Sequence, residues 1–293
     1  MEPMNRSRDS LPSPFPLLYE ETVRRALLED LGRAGDITTD AIVRPQEAAA
    51  ASMLARAEGR VAGLEVALSA FRCLDPQAQA EILVPDGCDA AAGDQLAVIR
   101  GQARALLSAE RTALNFLGRL SGIATATRGI AAAVARHGAK VVCTRKTTPG
   151  LRALEKYAVR AGGGANHRFG LDDAVLIKDN HRVIAGSITE AVARVRRYAG
   201  HMVKIEVEVD SLMELEEALG LGVDAVLLDN MPLEMLARGV RLARGIALTE
   251  ASGGITPANA AAIAATGVDL LSVGWLTHSA PALDVSLDLA VRV

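Results

Sequence analysis

From residue 141 to residue 273 the chain alternates short apolar runs with helix starts, and no other feature limits its fold as tightly. The runs fall at residues 141–144, 174–177, 205–209, 225–228, 247–250 and 270–273. Strand-length runs separated by helical segments predict βα units on a parallel sheet. The helix starts are well marked. Ser187-Ile-Thr-Glu190 and Ser211-Leu-Met-Glu214 have the capping-box pattern, and Pro149, Pro232 and Pro257 are expected at first helical positions. Polar residues then recur at one place, at or just beyond the carboxyl ends of the runs: Arg145 and Lys146, Lys178, Glu208, Asp229, Ser252 to Gly254, and Gly274. In an α/β barrel those ends converge on one mouth. A doubly wound sheet would gather its ligand groups at a switch point rather than draw on nearly every strand, so the barrel is the expected architecture.

The amino-terminal half reads differently. Apolar residues recur at helical spacing over residues 17–31, after which Gly32, Gly35 and Asp36-Ile-Thr-Thr39 are expected to form a loop. Residues 50–56, 80–84 and 95–99 read as short strands between turn signals such as Pro85-Asp-Gly87 and Ala92-Gly-Asp94, an α+β pattern. From Ala103 the pattern turns helical through Leu106, Leu107, Glu110, Arg111, Leu114 and Leu117 before Gly118 and Gly122, which places a domain junction on this helix. The expected organisation is a flexible leader over 1–16, an amino-terminal domain over 17–114 and a barrel domain over 115–293.

Composition excludes several function classes. Half of the 293 residues are apolar, enough for a large buried core. Aromatic residues make up only 3%, and there is no long basic tract, which argues against nucleic acid as a partner. Cys73, Cys88 and Cys143 are odd in number and lack metal-ligand spacing, so a disulfide framework or structural zinc is not expected and a reducing cytoplasm fits. Residues 1–16 lack the apolar core of a signal peptide, and no later run approaches membrane-spanning length.

The net charge is −3, yet residues 140–182 gather Arg145, Lys146, Arg152, Lys156, Arg160, His167, Arg168, Lys178, His181 and Arg182. Such clustering predicts a local anion site. Arg145 and Arg168 offer planar forks for carboxylates, and Lys146 and Lys178 supply point charges for carboxylate or phosphate oxygens. Arg152, Lys156 and Arg160, three to four residues apart, are expected to form a solvated helix face. His167 reads equally as a proton donor, a carboxylate hydrogen-bonder or a surface histidine. Glu208 and Asp229 could orient sugar hydroxyls or hold a divalent metal. Glu206 lies one strand period from Glu208 and points the same way, with the neutralisation of a nearby lysine as its competing role. Ser252-Gly-Gly254 before Thr256-Pro257, with Gly274 after the next strand, has the arrangement of a barrel phosphate site at a helix amino terminus.

At these residues the sequence resembles the quinolinate phosphoribosyltransferase family of the type II phosphoribosyltransferases. The resemblance runs from about Tyr19 and is carried by Gly35-Asp-Ile-Thr-Thr39, Glu110-Arg-Thr-Ala-Leu-Asn115, Ser121-Gly-Ile-Ala-Thr125, the cationic segment, Leu228-Asp-Asn230, Ser252-Gly-Gly254 and Val273-Gly-Trp-Leu-Thr-His-Ser279. It implies an amino-terminal α+β open sandwich domain, an incomplete TIM-like α/β barrel, and a homodimer or higher oligomer with active sites shared between subunits. It also implies a pentosyltransferase reaction: quinolinate and phosphoribosyl pyrophosphate give nicotinate mononucleotide, pyrophosphate and carbon dioxide in de novo NAD synthesis, with Mg2+ as cofactor. By the same resemblance Arg145, His167, Arg168 and Lys178 would bind quinolinate, with Arg111 arriving from the neighbouring subunit. Lys146, Glu208 and Asp229 would serve ribose, pyrophosphate and metal. Ser252, Gly253, Gly254 and Gly274 would hold phosphate, and His278 sits in the closing motif as a further binding residue. Ala161 stands where the family often has cysteine before the triple glycine, a position with no catalytic role. Two alternatives compete: the molybdenum-transport-associated paralogue, which Asn166-His-Arg168 and Ile177-Lys-Asp-Asn-His181 match less closely, and a non-catalytic phosphosugar-binding barrel.

Overall fold

A computed structural model describes residues 11–291, and most of the expected leader therefore lies outside the described residues. The described chain divides into two units. One comprises the chain through Arg128 together with Thr148–Gly163 and the segment from Ser279 onward; the other comprises Gly129–Thr147 and Gly164–His278.

In the first unit, helix α1 (Glu20–Leu31) is followed by α2 (Ile37–Ile42), strands β1 (Ala48–Ala55) and β2 (Gly59–Arg60), α3 (Leu64–Leu74), β3 (Gln79–Ile82), β4 (Asp89–Ala90) and β5 (Gln95–Gln102). The stretch expected as a loop at Asp36-Ile-Thr-Thr39 instead opens α2. The Asp36 side chain accepts a hydrogen bond from the Thr39 backbone N–H at 2.9 Å, an N-cap that the preceding glycines mask in the sequence. Helix α4 (Ala103–Val134) then runs for 32 residues, straight through Leu114 and both glycines. The glycines serve packing: a Cβ at Gly122 would lie 2.0 Å from the Pro281 carbonyl oxygen, so the carboxyl-terminal segment crosses directly over the helix backbone. Leu106, Leu117, Leu120 and Ile123 on α4 are essentially fully buried, each contributing about 1.5–3 kcal/mol by transfer from water.

Helix α5 (Arg152–Ala161) corrects a second expectation. Residues 154–159 are buried in unbroken succession, Lys156 to 1% exposure, so the helix is enclosed around most of its circumference. Arg152 is half-buried and Arg160 alone of the three spaced cations is exposed.

The second unit contains the alternation read from sequence. Its strands are β6 (Lys140–Val142), β7 (Val175–Ile177), β8 (Ile205–Val209), β9 (Ala225–Asp229), β10 (Leu248–Ser252) and β11 (Leu270–Ser272). The helices α6 (Asp179–Ala185), α7 (Ile188–Tyr198), α8 (Leu212–Gly220), α9 (Leu233–Ala243), α10 (Ala260–Ala264) and α11 (Trp275–His278) lie between or after them. All six strands are parallel, in the order β6-β11-β10-β9-β8-β7. The first strand therefore pairs with the last, as in a barrel. Among the described residues no ladder joins β6 to its sequence neighbour β7, leaving an incomplete, six-stranded barrel rather than a doubly wound sheet.

Ser187 and Ser211 accept from the N–H groups of Glu190 and Glu214, as the capping pattern predicts. The prolines behave differently. Pro232 occupies the N-cap position of α9, while Pro149 and Pro257 lie in turns that precede α5 and α10 by three residues. The chain ends in strand β12 (Val285–Val291), which pairs antiparallel with β1 and completes the first unit's four-stranded sheet, β12-β1-β5-β3. None of the three cysteines is in a disulfide, and no described helix is long and apolar enough to cross a membrane.

Candidate active site

The carboxyl ends of the six parallel strands surround a cavity of about 730 Å³. Arg145 and Lys146 enter it from the loop after β6, Lys178 from the end of β7, Glu208 from β8, Asp229 from β9, Ser252, Gly253 and Gly254 from β10, and Gly274 and His278 from beyond β11. His167 and Arg168 reach it from the β6–β7 connection. Twelve of the thirteen expected site residues thus line one cavity. Arg111 is the exception: it lies exposed on α4 in the first unit, lining a separate hollow with Glu29, Asp30, Asn115 and Phe116.

Two layers of acid are stacked in this wall. Glu208 forms the upper layer, half-buried, and its Oε2 accepts from Lys178 Nζ at 2.8 Å. One strand period deeper sits Glu206, 8% exposed, whose partner is His167 at 2.9 Å; the carboxylate that neutralises a lysine is Glu208, contrary to the role weighed for Glu206. Beside it, Glu250 on β10 is 1% exposed. Burial, followed by the neighbouring Glu206 carboxylate, pushes the Glu250 acid up to about 7.

The cations are arranged at close quarters. Burial and then the adjacent Arg145 charge bring the Arg168 guanidinium below its ordinary value, while Glu206 and Asp173 act in the opposite direction. Arg168 Nη1 donates to the Ala174 carbonyl at 3.0 Å, fixing one edge of the fork. The Lys146 backbone is held from both sides: its N–H donates to Thr144 Oγ1 at 3.0 Å, and its carbonyl accepts from Thr277 Oγ1 at 2.8 Å.

The glycine turn after β10 is shaped by its contacts. Gly253 has φ +98°, and a Cβ there would fall 2.1 Å from Asn230 Oδ1. Asn230, at φ 53°, donates from Nδ2 to Asp229 Oδ2 at 2.7 Å. Gly254 accepts from Asn259 Nδ2 at 2.9 Å, and Asn259 Oδ1 accepts from Thr256 N–H at 2.7 Å. The expected helix start at Thr256-Pro257 is thus a turn closed by Asn259, with the five-residue α10 beginning at Ala260. Strand ends of this kind, presenting cations on one side and carboxylates with flexible amides on the other, can hold a multiply anionic ligand and stabilise positive charge developing next to it.

Residues 36–121 match the family model described as "Quinolinate phosphoribosyl transferase, N-terminal domain", and residues 123–288 match its C-terminal domain. The chain belongs to the quinolinate phosphoribosyl transferase family. Among its relatives, the probable nicotinate-nucleotide pyrophosphorylase [carboxylating] of Bacillus subtilis is 44% identical over 275 residues, spanning 94% of each chain. The nicotinate-nucleotide pyrophosphorylase [carboxylating] of Mycobacterium leprae is 46% identical, covering 92% of this chain and 96% of the relative. The crystal structure of NadC from Streptococcus pyogenes superposes with a TM-score of 0.93 at 40% identity, over 97% of this chain and all of that one.

Within this member of the family two sets of side chains could hold a metal ion. Glu208 and Asp229 present oxygen donors at the cavity mouth, a donor set suited to Mg2+, which takes oxygen ligands and keeps several waters. His167, Glu206 and Glu250 bring a nitrogen and two carboxylate oxygens within 4.8 Å of one another, but their imidazole and deep burial match Mg2+ poorly. Glu250 and Asn230 line the cavity and were not among the expected site residues. A signal existed for the first: Glu250 and Ser252 are one strand period apart, so a strand that delivers Ser252 to the mouth must deliver Glu250 to the layer beneath.

Proposed function

We propose that this chain transfers the phosphoribosyl group from phosphoribosyl pyrophosphate to the ring nitrogen of quinolinate, with decarboxylation, giving nicotinate mononucleotide, pyrophosphate and carbon dioxide in NAD biosynthesis. The single observation that carries this reading is the convergence of Arg145, Lys146, Lys178, Glu208 and Asp229 from strand ends, and of His167 and Arg168 from the β6–β7 connection, on one cavity. The relatives' name, nicotinate-nucleotide pyrophosphorylase [carboxylating], agrees with it.

In this reading the paired forks of Arg145 and Arg168, with Lys178 and His167, grip the two adjacent carboxylates of quinolinate. Arginine suits this role because its planar donors match a carboxylate in geometry as well as charge. Glu208 and Asp229 flank the ribose and stabilise the positive charge that develops at its anomeric carbon as pyrophosphate departs. Lys146 and the amides of Gly253, Gly254 and Gly274 hold phosphate oxygens. Mg2+, held by Glu208 and Asp229 directly or through water, would neutralise the leaving pyrophosphate. Once the ring nitrogen is ribosylated its charge stabilises the carbanion left by loss of the neighbouring carboxylate, and that carbon takes up a proton. No separate decarboxylating base is required.

The test is direct. Purified protein with quinolinate, phosphoribosyl pyrophosphate and Mg2+ is expected to form nicotinate mononucleotide, and nicotinate, which lacks the second carboxylate, is expected to be rejected. Ligand binding by calorimetry with no product under any Mg2+ concentration would favour a phosphosugar-binding protein instead. The three free thiols support a cytoplasmic location.

The exposed position of Arg111 supports a homodimer in which that side chain completes the partner subunit's cavity. Mixing equal amounts of Arg111→Ala and Lys146→Ala subunits is then expected to restore activity at roughly a quarter of the sites through hybrid dimers. Hybrids that demonstrably form yet stay inactive would rule out the shared site.

A further inference from the structure

His167, Glu206 and Glu250 come from three separate stretches of the chain and meet beneath the cavity floor. Nδ1 of His167 accepts the Arg168 backbone N–H at 2.7 Å, so a neutral ring must carry its proton on Nε2. Nε2 faces two carboxyl groups, Glu206 Oε2 at 2.9 Å and Glu250 Oε1 at 3.6 Å. Oε1 of Glu250 is buried and has no hydrogen-bond partner, a costly arrangement that a packing role alone does not explain.

We propose that Glu250 is a positioning residue for the substrate's dicarboxylate. Glu206 and the Arg168 N–H fix the tautomer of His167, and Glu250 Oε1, 3.6 Å from the same Nε2, adds a second acceptor that biases the ring to one orientation. The same ring anchors the Arg168 backbone through Nδ1, so its orientation sets where both His167 and the Arg168 fork present themselves to an anionic ligand. Glu250 does its work through His167 rather than on the reacting atoms. The inference rests on the quinolinate reading above for the identity of the ligand, but its geometry belongs to the protein alone.

A filler of the core would be replaced without loss by any side chain of similar volume; a second acceptor would not. Kinetics are therefore compared for Glu250→Gln and Glu250→Leu, with 15N spectra of the imidazoles. Only five histidines are present, so His167 can be assigned from the signal lost in His167→Gln. Glutamine keeps a hydrogen-bonding oxygen and is expected to hold the quinolinate KM within about threefold of the parent. Leucine is expected to raise that KM about tenfold or more while the phosphoribosyl pyrophosphate KM moves less than about twofold. The His167 spectrum should report the Nε2–H tautomer throughout, with the Nε2 resonance at the parent position in the glutamine variant and shifted in the leucine variant. An unchanged quinolinate KM in Glu250→Leu, an equal rise in both KM values, or an unmoved Nε2 resonance would each overturn the proposal. Should the leucine variant not fold, Glu250→Ala is read by the same spectrum, with a shifted Nε2 resonance expected and an unmoved one overturning the proposal. Absence of turnover in the parent would count against the activity and leave the Nε2 resonance to decide the role of Glu250.

Discussion

Gly253→Ala is expected to lower turnover about 100-fold or more, because the substitution reaches the Asp229 carboxylate by way of Asn230. The new Cβ would lie 2.1 Å from Asn230 Oδ1, 2.6 Å from its Cγ and 3.1 Å from its Cα, so rotation of the amide alone does not relieve the overlap. Gly253 also has φ +98°, a conformation in which an L-residue carries a strain of about 1–3 kcal/mol. The chain can relax only by moving the turn after β10 or by displacing Asn230. Either movement disturbs the bond from Asn230 Nδ2 to Asp229, and the first also moves the backbone amides proposed to hold phosphate. A shift of about 1 Å in a positioning group is enough for a loss of this size. Initial rates of nicotinate mononucleotide formation, measured beside a melting curve, check the claim. A variant within about threefold of the parent rate would mean that Asn230 does not transmit the clash, since strain alone would appear as lost stability.

The contrast between Glu208 and Glu250 explains how far the site could be read from sequence. Glu208 stands near the end of its run and just before a helix start, so its place at a strand end is written in local pattern, as it is for Lys178 and Asp229. Glu206 lies one period deeper in the same run and Glu250 one period before Ser252, and what gives them a role is meeting His167 from another part of the chain. That convergence depends on strand stagger and on which residues share a layer, and one-dimensional spacing does not record it. The barrel was legible for the same reason as Glu208: periodicity and caps are local. Its incompleteness was implied by family resemblance alone, because no local signal says that β6 pairs with β11 rather than β7. The solvated face assigned to Lys156 failed in a related way. Charges three to four residues apart mark exposure on a helix covered on one side, and α5 is covered on most of its surface.

Glu250→Gln is also expected to change how stability depends on pH. In the folded protein the Glu250 acid is raised to about 7, whereas its ordinary value is 4.5. Below about pH 4.5 both states are protonated and the group contributes no pH-dependent penalty. Between there and pH 7 the unfolded chain releases the proton while the folded chain retains it, so the unfolded state binds fewer protons and stability falls as pH rises. Above pH 7 both states are ionised and the loss is complete, on the order of 3 kcal/mol at most. Glutamine cannot ionise and escapes this loss. The variant's melting temperature relative to the parent should therefore climb between pH 5 and pH 8 by several degrees, at about 2–4 °C per kcal/mol for a chain approaching this size. Scanning calorimetry across that range decides the point. A difference between variant and parent that stays flat from pH 5 to pH 8 would mean that Glu250 is already ionised in the folded state. The floor of the cavity would then hold two negative charges beneath a site built to receive a dianion, and the cations of Arg145, Arg168 and Lys178 would be needed first to offset it.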